Sequence, residues 1–298
     1  MSTLLVGFDS AWTAHNSGAI VGVMHRDDRT FQDLGPPLVV NYADAEQVVR
    51  NWQVEWNSTA TVQLLDQPTI VKNIAGQRPV ENLAGCSVGL RCGGMQPGNR
   101  SRVEMFGDGA PVWRYLEQFG GPANPLVGPV TGVIETYPVL TMIALGWTRP
   151  HCTRAGGRLP KYNPARKKTF SIEDWQHVCL CASKEFSDRG LRRIAQWIEE
   201  ACEKPKPRKS DQDGLDACIC LLVALNLAEG KDCIMVGNLE TGYIVVPHGS
   251  AQLVEELEIR CRKTGRNPGE WIQKVRWKME TSASENGLHS PDSSEWSG

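Results

Sequence analysis

Over the first forty residues the apolar positions form short runs with no helical repeat. The runs Thr3–Asp9, Gly18–His25 and Thr30–Val40, with Asp27-Asp28-Arg29 as a tight turn before the last, predict an antiparallel three-strand ribbon. From Ala43 to Trp56 the pattern changes. Ala45, Val48, Val49, Trp52 and Trp56 fall on one face of a 3.6-residue repeat, with Asn41 or Asp44 as the cap, which predicts an amphipathic helix. Thr61–Leu65 is again a strand run and stops at Asp66. Strand, helix and strand in succession predict that the sheet continues in parallel.

From Ile74 to Gly128 the chain is rich in Gly, Pro, Asn and Arg, above all from Gly85 to Arg102, with one predicted helix at Val112–Gln118. An excursion of this length inside a compact domain reads as a functional loop. Gly132–Glu135 is a further strand run and Val139–Leu145 a short helix after Pro138. Helices are predicted at Ser171–Cys181 and Ser187–Cys202, then a basic break at Lys204–Lys209, then a strongly apolar helix opening at Asp211 and running through Leu227. Glu240–Pro247 reads as a strand or hairpin arm and Ala251–Lys263 as a closing helix. Thr281–Gly298 is Ser-rich without aliphatic periodicity, which predicts a disordered tail. The organisation expected is a single α/β domain over about residues 1–270, with insertions at about 74–128 and 146–185.

Composition narrows the function classes. The 298 residues are 41% hydrophobic, enough for a proper core, and the formal net charge of −2 gives no global basic field. Nucleic-acid contact must then come from local patches. Arg149–Lys168 is one, with seven Lys or Arg and no acid. The ten cysteines contain no C-x-x-C pair and have no histidine at finger-like spacing, so no structural zinc site is expected. Without a leader-like N-terminus or an apolar run approaching ~18 residues, the expected setting is a reducing cytoplasm and no membrane.

The candidate chemistry lies in five carboxylates. Asp9, Asp66 and Glu135 each end a strand run, and Asp213 and Asp216 stand three apart at a helix start, on one face. Any one of them fits a turn or cap; Asp211 in particular fits a dipole partner at a helix start. In an α/β sheet, however, strand ends and helix starts can share one rim. Clustered carboxylates repel unless protonated or bridged by a cation, and all-oxygen sites suit Mg²⁺ or Mn²⁺, so the expected chemistry is two-metal phosphoryl transfer.

In their order and spacing, G-F-D-S-A-W at residues 7–12, L-L-D-Q-P at 64–68, I-E-T-Y-P at 134–138, D-Q-D-G-L-D-A at 211–217 and E-T-G-Y-I-V-V-P at 240–247 resemble a ribonuclease H-like protein. More closely, they resemble the uncharacterised family of predicted RNase H-like nucleases known as domain of unknown function 429. The resemblance spans about residues 3–250. It implies a mixed five-stranded sheet with helices on both faces and a divalent-metal nuclease site. It implies Asp9 as the ligand shared by both metals and Asp216 as a second-metal ligand, with Glu135 or Asp66 completing the set and Asp213 either a member or a helix cap.

Substrate contacts expected beside this site are Arg91 and Arg100 in the glycine-rich loop, Arg154, Arg158, Lys161, Arg166, Lys167 and Lys168 in the basic stretch, and Lys209. They would hold a DNA or RNA backbone without reading its sequence. Trp12, Trp113 and Trp147 could stack on bases, although core or rim packing is the ordinary use of each. Two other readings stand beside the nuclease: an actin-like or sugar-kinase-like phosphotransferase, which needs a duplicated sheet, and a non-catalytic nucleic-acid-binding adaptor. A homodimer stays open.

Overall fold

Why the third strand of the ribbon breaks is visible in its sequence. Gly35, at φ +127°, and Pro36-Pro37 interrupt the run, so that two short strands share one neighbour. In the computed structural model, which describes residues 2–129, 131–153 and 156–277, β1 (Thr3–Asp9) pairs antiparallel with β2 (Gly18–His25). The far side of β2 takes β3 (Phe31–Asp33) along one half and β4 (Leu38–Val40) along the other. Arg154 and the expected tail at 281–298 lie outside the described residues.

Asn41 caps α1 (Tyr42–Glu55) through its side chain, 2.9 Å from the Asp44 N–H. Then β5 (Ala60–Leu65) joins β1 in parallel. The glycine-rich excursion is not a loop throughout. It holds α2 (Pro79–Leu90), α3 (Val103–Phe106) and α4 (Pro111–Gln118) before β6 (Gly132–Glu135) adds in parallel to β5. The result is a mixed six-strand sheet in the order β3-β2-β1-β5-β6, with β4 also on β2.

The remaining chain gives α5 (Pro138–Ala144), α6 (Ile172–Ser187), α7 (Arg192–Cys202) and α8 (Lys209–Ala228). Gly190, at φ +72°, closes the turn after α6, so the second helix of this pair begins five residues later than its sequence suggests. A second sheet follows, built from β7 (Cys233–Asn238), β8 (Gly242–Pro247) and, after α9 (Ala251–Lys263) and α10 (Pro268–Trp271), β9 (Ile272–Val275). It is antiparallel throughout, in the order β8-β7-β9. Among the described residues no helix is long and apolar enough to cross a membrane.

The main sheet has helices on both faces. Leu4, Val6 and Phe8 pack with α1 and α4 residues such as Val49, Trp52 and Tyr115, whereas Leu5, Leu64 and Ile134 face α8. On its outer side α8 is covered by Trp175 and Phe186 of α6 and by Ile194 and Ile198 of α7. It also packs on Met235 and Val245 of the second sheet. A helix buried on every side is apolar all round, which explains why this segment lacks an amphipathic stripe.

Gly7 makes the closest contact in this arrangement. A Cβ there would lie 2.1 Å from the Ala217 carbonyl oxygen and 2.5 Å from the Leu221 nitrogen, both backbone atoms that cannot swing away. Gly7→Ala is therefore expected to cost roughly 3 kcal/mol, the upper end of ordinary overpacking, read as a lower midpoint in urea unfolding. A change below ~0.5 kcal/mol would show that α8 is free to move off β1.

Candidate active site

The close packing at Gly7 also sets the site, because it brings the start of α8 against the carboxyl end of β1. The ladder runs on past the strands. The Asp66 N–H donates to the Phe8 carbonyl at 2.9 Å and the Thr136 N–H to the Leu65 carbonyl at 2.9 Å, so the ends of β1, β5 and β6 lie side by side. Asp9 and Asp66 thus stand at adjacent strand ends, with Asp213 and Asp216 supplied from α8. Asp9, Asp213 and Asp216 are buried and Asp66 is partly so.

Burial raises the proton affinity of Asp9, and the charges of Asp216 and then Asp66 raise it further. Asp66 is pushed up in the same way, by burial first and then by Asp216 and Glu135. Asp216 is pushed up to about 6 by burial, against the opposing pull of Lys209 and of two hydrogen bonds. Those bonds come from the Tyr162 hydroxyl to Oδ1 at 2.7 Å and from Gln212 Nε2 to Oδ2 at 2.6 Å. Tyr162 carries no signal in the sequence beyond its place in the basic stretch, and Gln212 none beyond its four-residue spacing from Asp216.

Elsewhere the chain neutralises its buried carboxylates with guanidinium groups. Glu135 accepts both arms of Arg78, at 2.8 and 2.6 Å, and the Thr69 N–H at 3.0 Å. Arg78 is 1% exposed and also binds Glu81, at 2.7 Å from Nε. This is a buried internal ion triad. Glu135 ends its strand as expected, and its carboxylate is engaged by Arg78, while its charge still acts on Asp66. Asp174, buried at the start of α6, likewise receives Arg158 at 2.5 and 3.0 Å and Arg149 at 3.4 Å. Asp211 takes Lys204 and the Arg208 N–H, each at 2.7 Å, as a helix-start partner. Asp9 and Asp66 have no ion pair among the described residues.

Lys209 is the cation that this cluster does have. Its ammonium donates to Asp213 Oδ1, one turn along the helix, so Asp213 is ion-paired and is not a cap. The same ammonium opposes the upward shifts of Asp9, Asp66 and Asp216. Lys209, expected to contact substrate, thus serves the carboxylates.

The expected substrate contacts divide sharply. Arg91 is buried and clamps Glu256 of α9 at 2.7 and 3.0 Å, so it is a structural tie between α2 and α9. Arg100 lies over the Trp113 ring, 5.3 Å from its centroid, and pairs with Asp108. Arg158 is held by Asp174, and Lys161 donates to the Cys92 carbonyl at 2.8 Å. The acid missing from the basic stretch is Asp174, just beyond its end. Arg166, Lys167 and Lys168 are exposed and enter no ion pair among the described residues. Trp147 is core, and all ten cysteines are free thiols, with Cys218 and Cys220 buried in α8.

As a donor set the cluster is entirely oxygen. It includes the Gln212 Oε1, which is buried beside Asp216 without a partner. Hard oxygen donors and mutually repelling carboxylates fit Mg²⁺ or Mn²⁺. Among the described residues no three acidic, cysteine or histidine side chains are gathered as an ion cage. No protein-family model, curated protein or solved structure matches the chain, and its chemistry has to be read from this geometry.

Proposed function

We propose that the chain is a divalent-metal-dependent phosphodiesterase acting on nucleic acid, with a ribonuclease H-like main sheet. One observation carries the reading. Glu135, Glu81 and Asp174 are neutralised by arginine, while Asp9 and Asp66, at adjacent strand ends beside Asp216, are left without one. Buried like charges cost stability, and such strain concentrates where function requires it. The strand pattern supports the fold assignment: an antiparallel ribbon, then two parallel strands, with helices on both faces.

Asp9, Asp66 and Asp216 would hold Mg²⁺ or Mn²⁺, which when bound supplies a Lewis acid that offsets charge on a reacting phosphate and lowers the pKa of water. The chain's own groups set the conditions for this. Tyr162 and Gln212 fix the Asp216 carboxylate in orientation, and Lys209 opposes the upward pull of burial on the proton affinity of the cluster. Three exposed cations, Arg166, Lys167 and Lys168, follow Tyr162 in the same segment and supply contacts for a phosphate backbone. Neutralising all three to Gln is expected to flatten the salt dependence of single-strand binding, by about 2 in the slope of log K against log salt. An unaltered slope would place the backbone elsewhere.

The kinase-like reading is less well supported, because the second sheet is a three-strand antiparallel meander and does not repeat the first. The decisive assay offers Mn²⁺ and a panel of single strands, duplexes, hybrids and branched junctions to the purified protein and to Asp9→Asn and Asp216→Asn. Cleavage by the wild type that both variants lose supports the proposal; cleavage retained in both would refute it.

A further inference from the structure

Three residues beyond Asp9 the chain does something costly. The Thr13 N–H donates to the Ala11 carbonyl at 2.7 Å, which closes a three-residue turn with Trp12 at its centre, at φ +60°. This is the γ-turn of the strained hand, and a bulky aromatic is among the least suited residues for it. Backbone strain of this kind persists where surrounding contacts enforce it, and it clusters at binding and catalytic sites.

The enforcing contacts are local and connected. Ser10 Oγ donates to Gln67 Oε1 at 2.5 Å, tying the loop after β1 to the loop after β5, one residue past Asp9 and Asp66 respectively. Gln67 Nε2 donates to the Met105 carbonyl at 3.3 Å, and the next residue, Phe106, meets the Trp12 ring at 5.9 Å between centroids and 75° between planes. Phe106 is wholly buried, whereas Trp12 stays partly exposed. Trp113, which packs on the same Phe106, has its indole N–H fixed on the Gly107 carbonyl at 2.7 Å and Arg100 over its ring. Trp12 thus stands three residues past Asp9 on a strained turn, with its ring partly exposed and one edge contact on Phe106.

We propose that Trp12 is a stacking platform for an unpaired base next to the phosphate that a cation at Asp9 and Asp66 would hold, so that the substrate is single-stranded or locally unpaired nucleic acid. The inference rests on the phosphodiesterase reading. In a duplex each base face is already stacked on its neighbours, and only an unpaired base can present a face to the ring. Stacking on an aromatic ring tolerates any base, in keeping with backbone contacts that read no sequence.

The test uses the full chain in Ca²⁺, an oxygen-preferring divalent cation that stands in for Mg²⁺, with fluorescein-labelled twelve-nucleotide single strands of DNA and RNA and the matching duplexes, read by anisotropy. Wild type should bind a single strand more tightly than its duplex. Trp12→Gly, which keeps the turn and removes the ring, should weaken single-strand binding by roughly ten- to a hundredfold with little change for duplex, and Trp12→Phe should restore most of it. Because glycine relieves the positive φ, the melting temperature of Trp12→Gly should hold or rise. A melting temperature lowered with single-strand affinity unchanged would make Trp12 a packing residue only and overturn the proposal. Equal wild-type affinity for single strand and duplex, or no binding of either, would overturn it as well. Mn²⁺ titration of wild type against Asp9→Asn separates the two readings. Metal uptake that depends on Asp9, together with a negative Trp12 result, defeats the stacking platform alone, and no uptake by wild type defeats the phosphodiesterase reading itself.

Discussion

Asp9→Asn is expected to make the metal-free protein more stable at pH 7.5 while lowering Mn²⁺-dependent cleavage by about 10³-fold or more, the equivalent of several kcal/mol of lost charge stabilisation. The two effects share one cause. Asp9, Asp66 and Asp216 hold protons more firmly in the fold than in the unfolded chain, with Asp216 raised from 3.8 to about 6. A carboxylate shifted in this direction contributes stability that is fully present below its unfolded pKa and is lost as pH rises through the folded one. For Asp216 that window runs from about 4 to about 6. The gain from Asp9→Asn should therefore be smaller at pH 4.5 than at pH 7.5, as measured by urea unfolding in EDTA at both values. Asparagine keeps the shape of the side chain, so the comparison isolates charge. A variant less stable at pH 7.5 would make Asp9 a structural turn residue.

Removing Arg78 should act in the opposite sense. Arg78→Met leaves Glu81 and Glu135 buried together without their cation, and breaking a buried pair by taking one partner away costs about 3–5 kcal/mol. In a chain of this size that corresponds to a fall on the order of 10 °C in the thermal midpoint. Adding Glu135→Gln to Arg78→Met should recover part of the loss, because it removes one of the stranded charges. Arg78→Met with an unchanged midpoint would mean that water reaches the triad.

What the sequence could disclose follows from how local each signal is. Asp9, Asp66 and Glu135 announce themselves because each ends a run of apolar residues, and β1, β2 and β6 fall where those runs predict. The close approach at Gly7 is compatible with the G-F-D motif, but its partner Ala217 lies 210 positions away and no local pattern links them. Within the glycine-rich excursion α2 was hidden by Gly85 and Gly89, which weaken a helical pattern. The structure compensates by burying Val80, Leu83 and Val88 against α9.

Charge roles were the least legible. Arg91 and Lys209 look alike in a list of basic residues. One clamps Glu256 across 165 positions, and the other neutralises an acid one turn away. Glu135 and Asp66 likewise share a strand-end signature, but Glu135 is buried and reached by Arg78 from the start of α2, whereas Asp66 is partly exposed and is not. In the β7–β9 sheet only the β8 arm is legible: Glu229-Gly230-Lys231-Asp232 marks the end of α8, but β7 and β9 are six and four residues long, too short for a period-2 pattern to declare them.

The most direct test of the central claim is a calorimetric titration of the metal-free protein with Mn²⁺ at pH 7.5, run for wild type, Asp9→Asn and Glu135→Gln. Uptake by wild type that is lost in Asp9→Asn and kept in Glu135→Gln is the predicted result. Equal uptake by wild type and Asp9→Asn, or none by wild type, would contradict it.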